Sequence, residues 1–275
     1  MKNSDFKDLT PETLRGYREE KKEKDYQLID VRQPGEYGAA HIPGAILIPL
    51  PQLESRLFNL PSDRDLVFYC RSGARSRAAA NLAVEAEVTT NQVYNLVGGI
   101  MGWDGKTLAD FPRVEIFDRT APPRHLLEKA MDLEKGAGLF YDRMARESAG
   151  APFADTFVTL AAAELGHARL VYRFWAKTAE EPPTFETVYA DLSGEVLEGG
   201  QSLDEACRRL TAISQDRSCI AMMELALDME YAAFDLYRFA AEMAEAPEAR
   251  EAFLTIAQAE KGHMKTLIKA IDRCP

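Results

Sequence analysis

The order of hydrophobic and polar positions divides the chain into two parts. Up to about residue 117, short apolar runs alternate with stretches of helical periodicity. The runs at 26–31, 45–49, 65–69 and 92–96 are rich in β-branched and aromatic residues, which predicts strands. Strands that alternate with helices predict an α/β domain with a mainly parallel sheet.

From residue 125 onward the pattern is helical almost throughout. Turn-forming stretches interrupt it at 148–152 and 245–247, so two helix hairpins are predicted, and a short helix near 203–213 lies between them. Pro122 and Pro123 resist both helix and strand, which favours a linker at 118–124. The expected organisation is therefore an α/β domain over 1–117 and an all-α domain over 125–275.

A pattern of metal-ligand residues occurs twice in the helical part, with an interval of 96 residues between the copies. Each copy has a lone Glu followed thirty residues later by Glu-x-x-His. Each predicted turn falls midway between the two Glu positions, so each hairpin brings its lone Glu level with its Glu-x-x-His. The six candidate metal ligands are Glu134, Glu164, His167, Glu230, Glu260 and His263.

The charge of this ligand set favours a pair of metal ions. Four carboxylates that share a bundle core would repel one another, whereas two divalent cations neutralise them. Carboxylate and imidazole ligands suit iron or manganese, and zinc remains possible. A single Glu-x-x-His is common on solvated helices, but its repetition predicts a two-metal site of the kind found in helical bundles.

With these motifs, residues 125–275 resemble the rubrerythrin-like branch of the ferritin-like superfamily. The resemblance implies a ferritin-like four-helix bundle with a di-iron centre, an external electron donor and a homodimer. It also implies peroxide reduction or ferrous-iron oxidation, although Ala233 stands where rubrerythrins usually carry a further Glu. Tyr141 and Tyr237 either donate hydrogen bonds to metal ligands or are ordinary core aromatics.

A cysteine begins the loop that follows the predicted strand 65–69. The loop precedes a predicted helix, so its backbone N–H groups converge on one point and favour an anion. Such a setting lowers the pKa of Cys70, and Arg71 and Arg75 are expected to lower it further. Open α/β sheets place their sites at this end of the strands.

The loop and three further segments resemble the rhodaneses, a family of sulfurtransferases. The supporting segments are 28–32 (LIDVR), 41–45 (HIPGA) and 95–103 (NLVGGIMGW). The resemblance implies that Cys70 takes sulfane sulfur from thiosulfate or a persulfide donor, holds it as a persulfide and passes it to a thiol acceptor. The anion would bind to the loop residues Arg71, Ser72, Gly73, Ala74 and Arg75. Asp30, Arg32 and His41 are expected to be structural.

Charge and cysteine content narrow the choice of partners and compartment. The formal net charge of −11 argues against nucleic acid and against an anionic membrane surface. There is no apolar stretch of spanning length and no signal-like start. Cys207, Cys219 and Cys274 are scattered, so we expect unreactive free thiols and a cytoplasmic location.

The favoured hypothesis is a sulfurtransferase joined to a di-iron redox or iron-handling domain. The alternative is a peroxide-reducing or ferrous-iron-oxidising protein in which the rhodanese-like domain is accessory. A non-enzymatic interaction protein is the weakest hypothesis, because both sets of site residues are intact.

Overall fold

The structure is a computed structural model that describes residues 5–118, 120–214 and 218–274. The chain divides into two compact units, Met1–Phe111 and Pro112–Pro275. The division precedes the predicted boundary at 117 because Val114, Ile116 and Phe117 pack into the core of the second unit. The first long helix begins at Pro123, inside the predicted linker 118–124, of which residue 119 lies outside the described residues.

Five parallel strands form the sheet of the first unit: β1 Lys7–Leu9, β2 Tyr26–Asp30, β3 Ile46–Leu47, β4 Asp65–Tyr69 and β5 Val93–Leu96. Their order is β1-β5-β4-β2-β3, which confirms the predicted α/β class. All residues of β2 and β4 are buried. The sequence pattern missed β1 because it has only three residues, of which two are exposed.

The helices of the first unit are α1 Pro11–Glu20, α2 Pro34–Ala39, α3 Leu50–Arg56 and α4 Ala74–Glu85. The side chain of Thr10 caps the start of α1 by accepting a hydrogen bond from the backbone N–H of Thr13 at 3.2 Å. On α4, three small residues pack in the core and allow a close approach to the sheet: Ala79, Ala80 and Ala83.

The second unit is helical, as predicted. Four long helices form two hairpins, which are α5 Pro123–Glu147 with α6 Ala154–Ala176, and α9 Cys219–Met243 with α10 Pro247–Ile271. The crossover between the hairpins carries α7 Phe185–Asp191, which was not predicted, and α8 Leu203–Ser214, which was. Within the described residues, no helix combines the length and apolarity needed to cross a membrane.

Two apolar clusters fill the second unit. One contains Trp175, Phe234 and Phe253, and the other contains Phe140 and Met223. Along each of the four long helices, the cluster members lie on either side of the carboxylate positions. The candidate metal ligands therefore occupy a polar layer between two apolar ones.

A disulfide joins Cys219 to Cys274, so the expectation of free thiols at both positions is wrong. The two residues lie at the start of α9 and just after the end of α10. Because the helices of this hairpin have equal length, its open ends meet and bring the cysteines to a Cα–Cα distance of 5.6 Å. Cys207 is a free thiol, as expected, but the cysteines no longer argue for a reducing compartment.

Candidate functional sites

The Cys70 loop connects the carboxyl end of β4 to the first turn of α4. The Gly73 N–H donates a hydrogen bond to the Cys70 sulfur at 3.1 Å, and the Ser76 hydroxyl lies 3.5 Å from the same atom. Gly73 adopts φ +99°, a left-handed conformation that glycine favours. The loop therefore bends so that its backbone donors face the sulfur.

A glycine turn after β5 holds this loop in place. The backbone N–H groups of Ile100 and Met101 donate to the carbonyls of Cys70 (2.8 Å) and Arg71 (3.1 Å). A Cβ atom on Gly99 would lie only 2.3 Å from the Cys70 carbonyl oxygen, so only glycine permits this approach. The position of the sulfur is thus fixed from two sides.

Hydrogen bonds shift the titration of Cys70. Burial of the side chain, whose residue is 1% exposed, raises the pKa of the thiol. The Ser76 hydroxyl and the backbone N–H groups of Ser76, Ser72 and Gly73 lower it by more, so the pKa lies below its ordinary value. The loop favours a thiolate, which is the nucleophilic form.

The two arginines contribute differently from what the sequence suggested. Arg75 forms a two-pronged ion pair with Glu36, at 2.7 and 2.8 Å, which lowers the pKa of Glu36 to about 2. Arg71 is exposed at the loop surface. The strongest effects that lower the pKa of Cys70 are hydrogen bonds, so the arginines matter less to the thiolate than expected.

The remaining residues of this region have simple positions. Ser72 acts on Cys70 through its backbone N–H, and the Ala74 side chain is exposed. Asp30 and Arg32 form a buried ion pair at 2.6 Å behind the loop. His41 is buried and stacks on Tyr37 with the ring centroids 4.0 Å apart.

Ser76 is a site residue that the sequence analysis missed. Besides facing Cys70, its hydroxyl oxygen lies 2.7 Å from the Asn95 side-chain oxygen, and the Asn95 amide donates to Asp8 at 2.8 Å. The available signal was its place in the first helical turn after the loop, where a short hydroxyl side chain can face back toward the loop.

In the second unit, α6 and α10 bring two Glu-x-x-His pairs together. The Nδ1 atom of His167 lies 3.0 Å from a Glu164 oxygen and 3.3 Å from a Glu260 oxygen. The Nδ1 atom of His263 lies 3.1 Å from each of the same two carboxylates. The imidazole rings stack with their centroids 4.7 Å apart. Glu164 and Glu260 thus sit between the two histidines.

The lone glutamates of α5 and α9 complete this arrangement. Glu134 lies 3.2 Å from His167, and Glu230 lies 3.2 Å from His263. Tyr141 donates a short hydrogen bond to Glu230, and Tyr237 donates one to Glu134. Each tyrosine reaches the carboxylate of the opposite hairpin, so both alternatives weighed for the tyrosines hold: they are core aromatics that also bind candidate ligands.

The oxygen and nitrogen atoms of this cluster are better suited to binding metal ions than to hydrogen bonding with one another. Both carboxylate oxygens of Glu164 and of Glu260 are buried and have no hydrogen-bond partner among the described residues. One Nδ1 atom carries at most one proton, so it cannot satisfy the three carboxylates around it. Burial raises the pKa of Glu134 to about 6, although the hydrogen bond from His167 opposes this. Two cations between these groups would remove both the repulsion and the unpaired oxygens.

A further carboxylate in this cluster was also missed. Glu198 comes from the crossover, not from any of the four long helices. It offers an oxygen that lies within 4.8 Å of candidate ligand atoms from four other residues: Glu134, Glu164, His167 and Glu260. Its sequence surroundings, Leu-Glu-Gly-Gly, are typical of an exposed turn, so no local pattern indicated a buried carboxylate.

Comparison with known proteins places both halves. Residues 12–106 match the model of the rhodanese-like domain. The chain is 41% identical over 105 residues to the uncharacterized protein YqhL of Bacillus subtilis, which covers 38% of this chain and 77% of that protein. The chain belongs to the rhodanese-like family. A protein of Allochromatium vinosum named sulfurtransferase is 40% identical over 80 residues, or 29% of this chain and 73% of that protein.

The rhodanese-like chain also carries a second family's segment. Residues 221–274 match the rubrerythrin model, so the predicted combination of rhodanese and rubrerythrin domains is confirmed. This match covers most of α9 and all of α10, with the second copy of the repeated pattern. Among solved structures, a rhodanese-like domain protein from Staphylococcus aureus has a TM-score of 0.34 at 26% identity and covers 38% of this chain and 99% of that chain.

Proposed function

We propose that this rhodanese-like chain is a sulfurtransferase that carries sulfane sulfur on Cys70, and that its helical unit holds two metal ions. The observation that supports the first part is the Cys70 sulfur itself, which accepts backbone hydrogen bonds and has a lowered pKa at the carboxyl end of β4. The name of the Allochromatium vinosum relative supports the same activity class.

The chemistry begins with the Cys70 thiolate, which attacks the sulfane sulfur of thiosulfate or of a persulfide donor. The new bond joins the two sulfur atoms, and the S–S bond of thiosulfate breaks with its electron pair leaving on sulfite. The product is a Cys70 persulfide anion. An acceptor thiolate then attacks the outer sulfur and takes it as a persulfide, which regenerates the Cys70 thiolate without any external oxidant or reductant.

The loop would stabilise the anion at each stage. The backbone N–H groups of Ser72, Gly73 and Ser76 are fixed dipoles that face the sulfur, so they need no rearrangement as charge moves outward by one atom. Arg71, which is exposed, attracts an anionic donor to the loop. Arg75 remains in its ion pair with Glu36, so its role is to hold the structure of the loop.

The helical unit would hold its metal ions through the six predicted residues. Glu164 and Glu260 face both histidines, so they suit both metal positions, whereas Glu134 and Glu230 each face one histidine. Iron would supply one-electron redox chemistry, and manganese or zinc would also suit the ligands. Tyr141 orients the carboxylate of Glu230 by hydrogen bonding, and Tyr237 orients that of Glu134. The external electron donor and the homodimer stay predictions.

The test pairs Cys70→Ser with Cys207→Ser, the other free cysteine of the described structure. After treatment with thiosulfate, mass spectrometry of the wild type and of Cys207→Ser should show one added sulfur atom on the Cys70 peptide, whereas Cys70→Ser should gain none. Iron content should be near two per chain in all three proteins. A Cys70→Ser protein that transfers sulfur at the wild-type rate would refute the sulfurtransferase proposal.

The alternative function, peroxide reduction or ferrous-iron oxidation with an accessory rhodanese-like unit, is favoured by the buried tyrosine–carboxylate pairs at the cluster. It predicts that Glu164→Gln abolishes peroxide turnover while Cys70→Ser leaves the turnover unchanged. Loss of turnover in Cys70→Ser would instead indicate that the cluster depends on sulfur chemistry.

A further inference from the structure

The crossover between the hairpins sends one side chain into the carboxylate cluster. Glu198 is 4% exposed, and its Oε1 atom has no hydrogen-bond partner among the described residues. One of its oxygens lies within 4.8 Å of an oxygen of Glu134, another acid. A buried carboxylate that faces mainly other carboxylates is costly unless a cation neutralises it.

On one side, α5 holds the crossover at this depth. The Asp132 carboxylate accepts a hydrogen bond from the Gly194 N–H at 2.8 Å, and Lys135 donates to the Leu192 carbonyl at 2.7 Å. A Cβ atom on Gly136 would lie 2.3 Å from the Val196 carbonyl oxygen. Glycine at position 136 is therefore what lets this backbone lie against the helix.

On the other side, α9 offers small residues to the same segment. Gly199 has φ +78°, and a Cβ atom on it would lie 2.7 Å from the Cβ of Ala232. Any larger residue at either position would lift the turn away from the bundle. Close packing on both helices therefore fixes Glu198 where its carboxylate reaches the cluster.

This carboxylate breaks the symmetry of the cluster. The glutamates, histidines and tyrosines all occur in pairs, one from each hairpin, whereas Glu198 lies between the two copies of the repeat. The atoms close to its oxygen belong to Glu134, Glu164, His167 and Glu260, and this group does not include Glu230 or His263. The added negative charge therefore falls on the half of the cluster that contains Glu134.

We propose that Glu198 is an additional carboxylate ligand for the metal ion on the Glu134 side, which makes the two metal positions unequal. This inference rests on the proposed two-metal site. The position beside Glu134 and Glu198 binds a divalent cation more tightly, because it has one more anionic ligand. The position beside Glu230 and His263 fills second.

The test is a metal titration of the metal-free full-length protein with Mn²⁺, followed by calorimetry and by the magnetic resonance signal of free Mn²⁺. The wild type should bind two ions with separate affinities. Glu198→Gln, which keeps the shape and removes the charge, should weaken the tighter step at least about tenfold and bring the two steps together. Glu195→Gln, an exposed change in the same segment, is the matched control and should bind as the wild type does.

Thermal unfolding of the same proteins separates a ligand from a structural acid. Without metal, Glu198→Gln should unfold at a higher temperature than the wild type, because one repelling charge is gone. With Mn²⁺ bound, the order should reverse, because a ligand is gone. A lower unfolding temperature in both states would show that Glu198 is a structural residue and overturn the proposal.

A second variant tests whether the packing of the crossover backbone positions Glu198, while Glu198 itself stays unchanged. Gly136→Ala should push the crossover outward and weaken the tighter binding step, whereas Gly166→Ala adds its methyl group in open space and should not. If the wild type binds two ions and Glu198→Gln matches it in every measurement, Glu198 is a neutral acid beside Glu134 and only this inference fails. If the wild type binds no ion, the proposed metal site fails as well.

Discussion

The two candidate sites are built in opposite ways. The cysteine site uses one short run of chain, residues 70–76, and neutral backbone N–H groups that point at a single sulfur. The carboxylate cluster collects its residues from four helices and the crossover between them. The first site can hold an anion mainly through neutral N–H donors, whereas the second gathers anions and must be held together against their repulsion.

This contrast explains where each unit carries its constraints. The cysteine loop needs only a glycine turn behind it, and its hydrogen bonds are made by its own backbone and by Ser76. The helical unit surrounds its cluster with two apolar layers, crossed tyrosine hydrogen bonds and a disulfide. A site whose residues are far apart in the sequence depends on each of these interactions, because they keep the helices in register.

The largest effect should follow from opening the disulfide, which tests that dependence. It closes a sequence separation of 55 residues, for which chain entropy predicts a loss of about 4 kcal/mol in the stability of the helical unit. In calorimetry of the full-length protein, the double variant Cys219→Ser/Cys274→Ser should lower the unfolding temperature of the second unit. Thiol alkylation at Cys70 should keep its wild-type rate.

Cys207→Ser provides the matched control, because it removes a cysteine that forms no disulfide. It should leave the unfolding temperature unchanged. If alkylation at Cys70 also changed in the double variant, the two sites would not be as separate as their construction suggests.

The sequence predicted the position of the cysteine loop, between a strand and a helix, because the parts of the loop are contiguous. Cys70 and its neighbours follow a strand and precede a helix, so their geometry is set locally. The six candidate ligands were accessible for another reason: the interval of 96 residues between the two copies pairs positions that also lie together in the bundle. Both routes use information that is present along the chain.

Apart from Ser76, which is contiguous with the cysteine loop, the residues that were missed lack both kinds of signal. Glu198 reaches the cluster only because Gly136 and Ala232 admit the crossover backbone, and no interval along the sequence expresses that packing. Cys219 and Cys274 meet because two helices end at the same height. The sequence did not indicate which carboxylates the tyrosines would reach, and their hydrogen bonds cross between the hairpins. Each of these features depends on how elements pack, which the pattern of a single element does not contain.

An intermediate effect is expected at Ser76, which tests whether hydrogen bonds rather than arginines set the thiolate. Ser76→Ala removes a side-chain donor that lowers the pKa of Cys70. The pKa of Cys70 should therefore rise, and the thiolate fraction at a pH below that pKa should fall. The pH dependence of alkylation at Cys70 measures this directly. Ser55→Ala, in α3, is the control. An unchanged profile in Ser76→Ala would mean that the arginines, and not this hydrogen bond, lower the pKa of Cys70.

The smallest effect on the pKa of Cys70 is expected from breaking the ion pair between Glu36 and Arg75, and this change should lower the pKa rather than raise it. Glu36→Gln preserves the side-chain hydrogen bond to the Gln33 N–H, which helps to cap α2, but it frees Arg75. The freed guanidinium should lower the pKa of Cys70 slightly, because only then does its full charge act on the loop. No change would mean that Arg75 serves the loop only as a structural residue.

Stability provides a second measure of the same pair. The folded pKa of Glu36 is about 2, below its ordinary value of 4.5, so the pair stabilises the protein above about pH 4.5 and loses its effect as the pH falls toward 2. Both side chains are about one-third exposed, which limits the contribution to about 0.5 kcal/mol. Urea unfolding should show Glu36→Gln less stable than the wild type at pH 7, with the difference shrinking at pH 3. Glu54→Gln, an exposed change, should show no such dependence. A difference that persists at pH 3 would mean that Glu36 acts through packing and that the charge of the Glu36–Arg75 pair does not stabilise the loop.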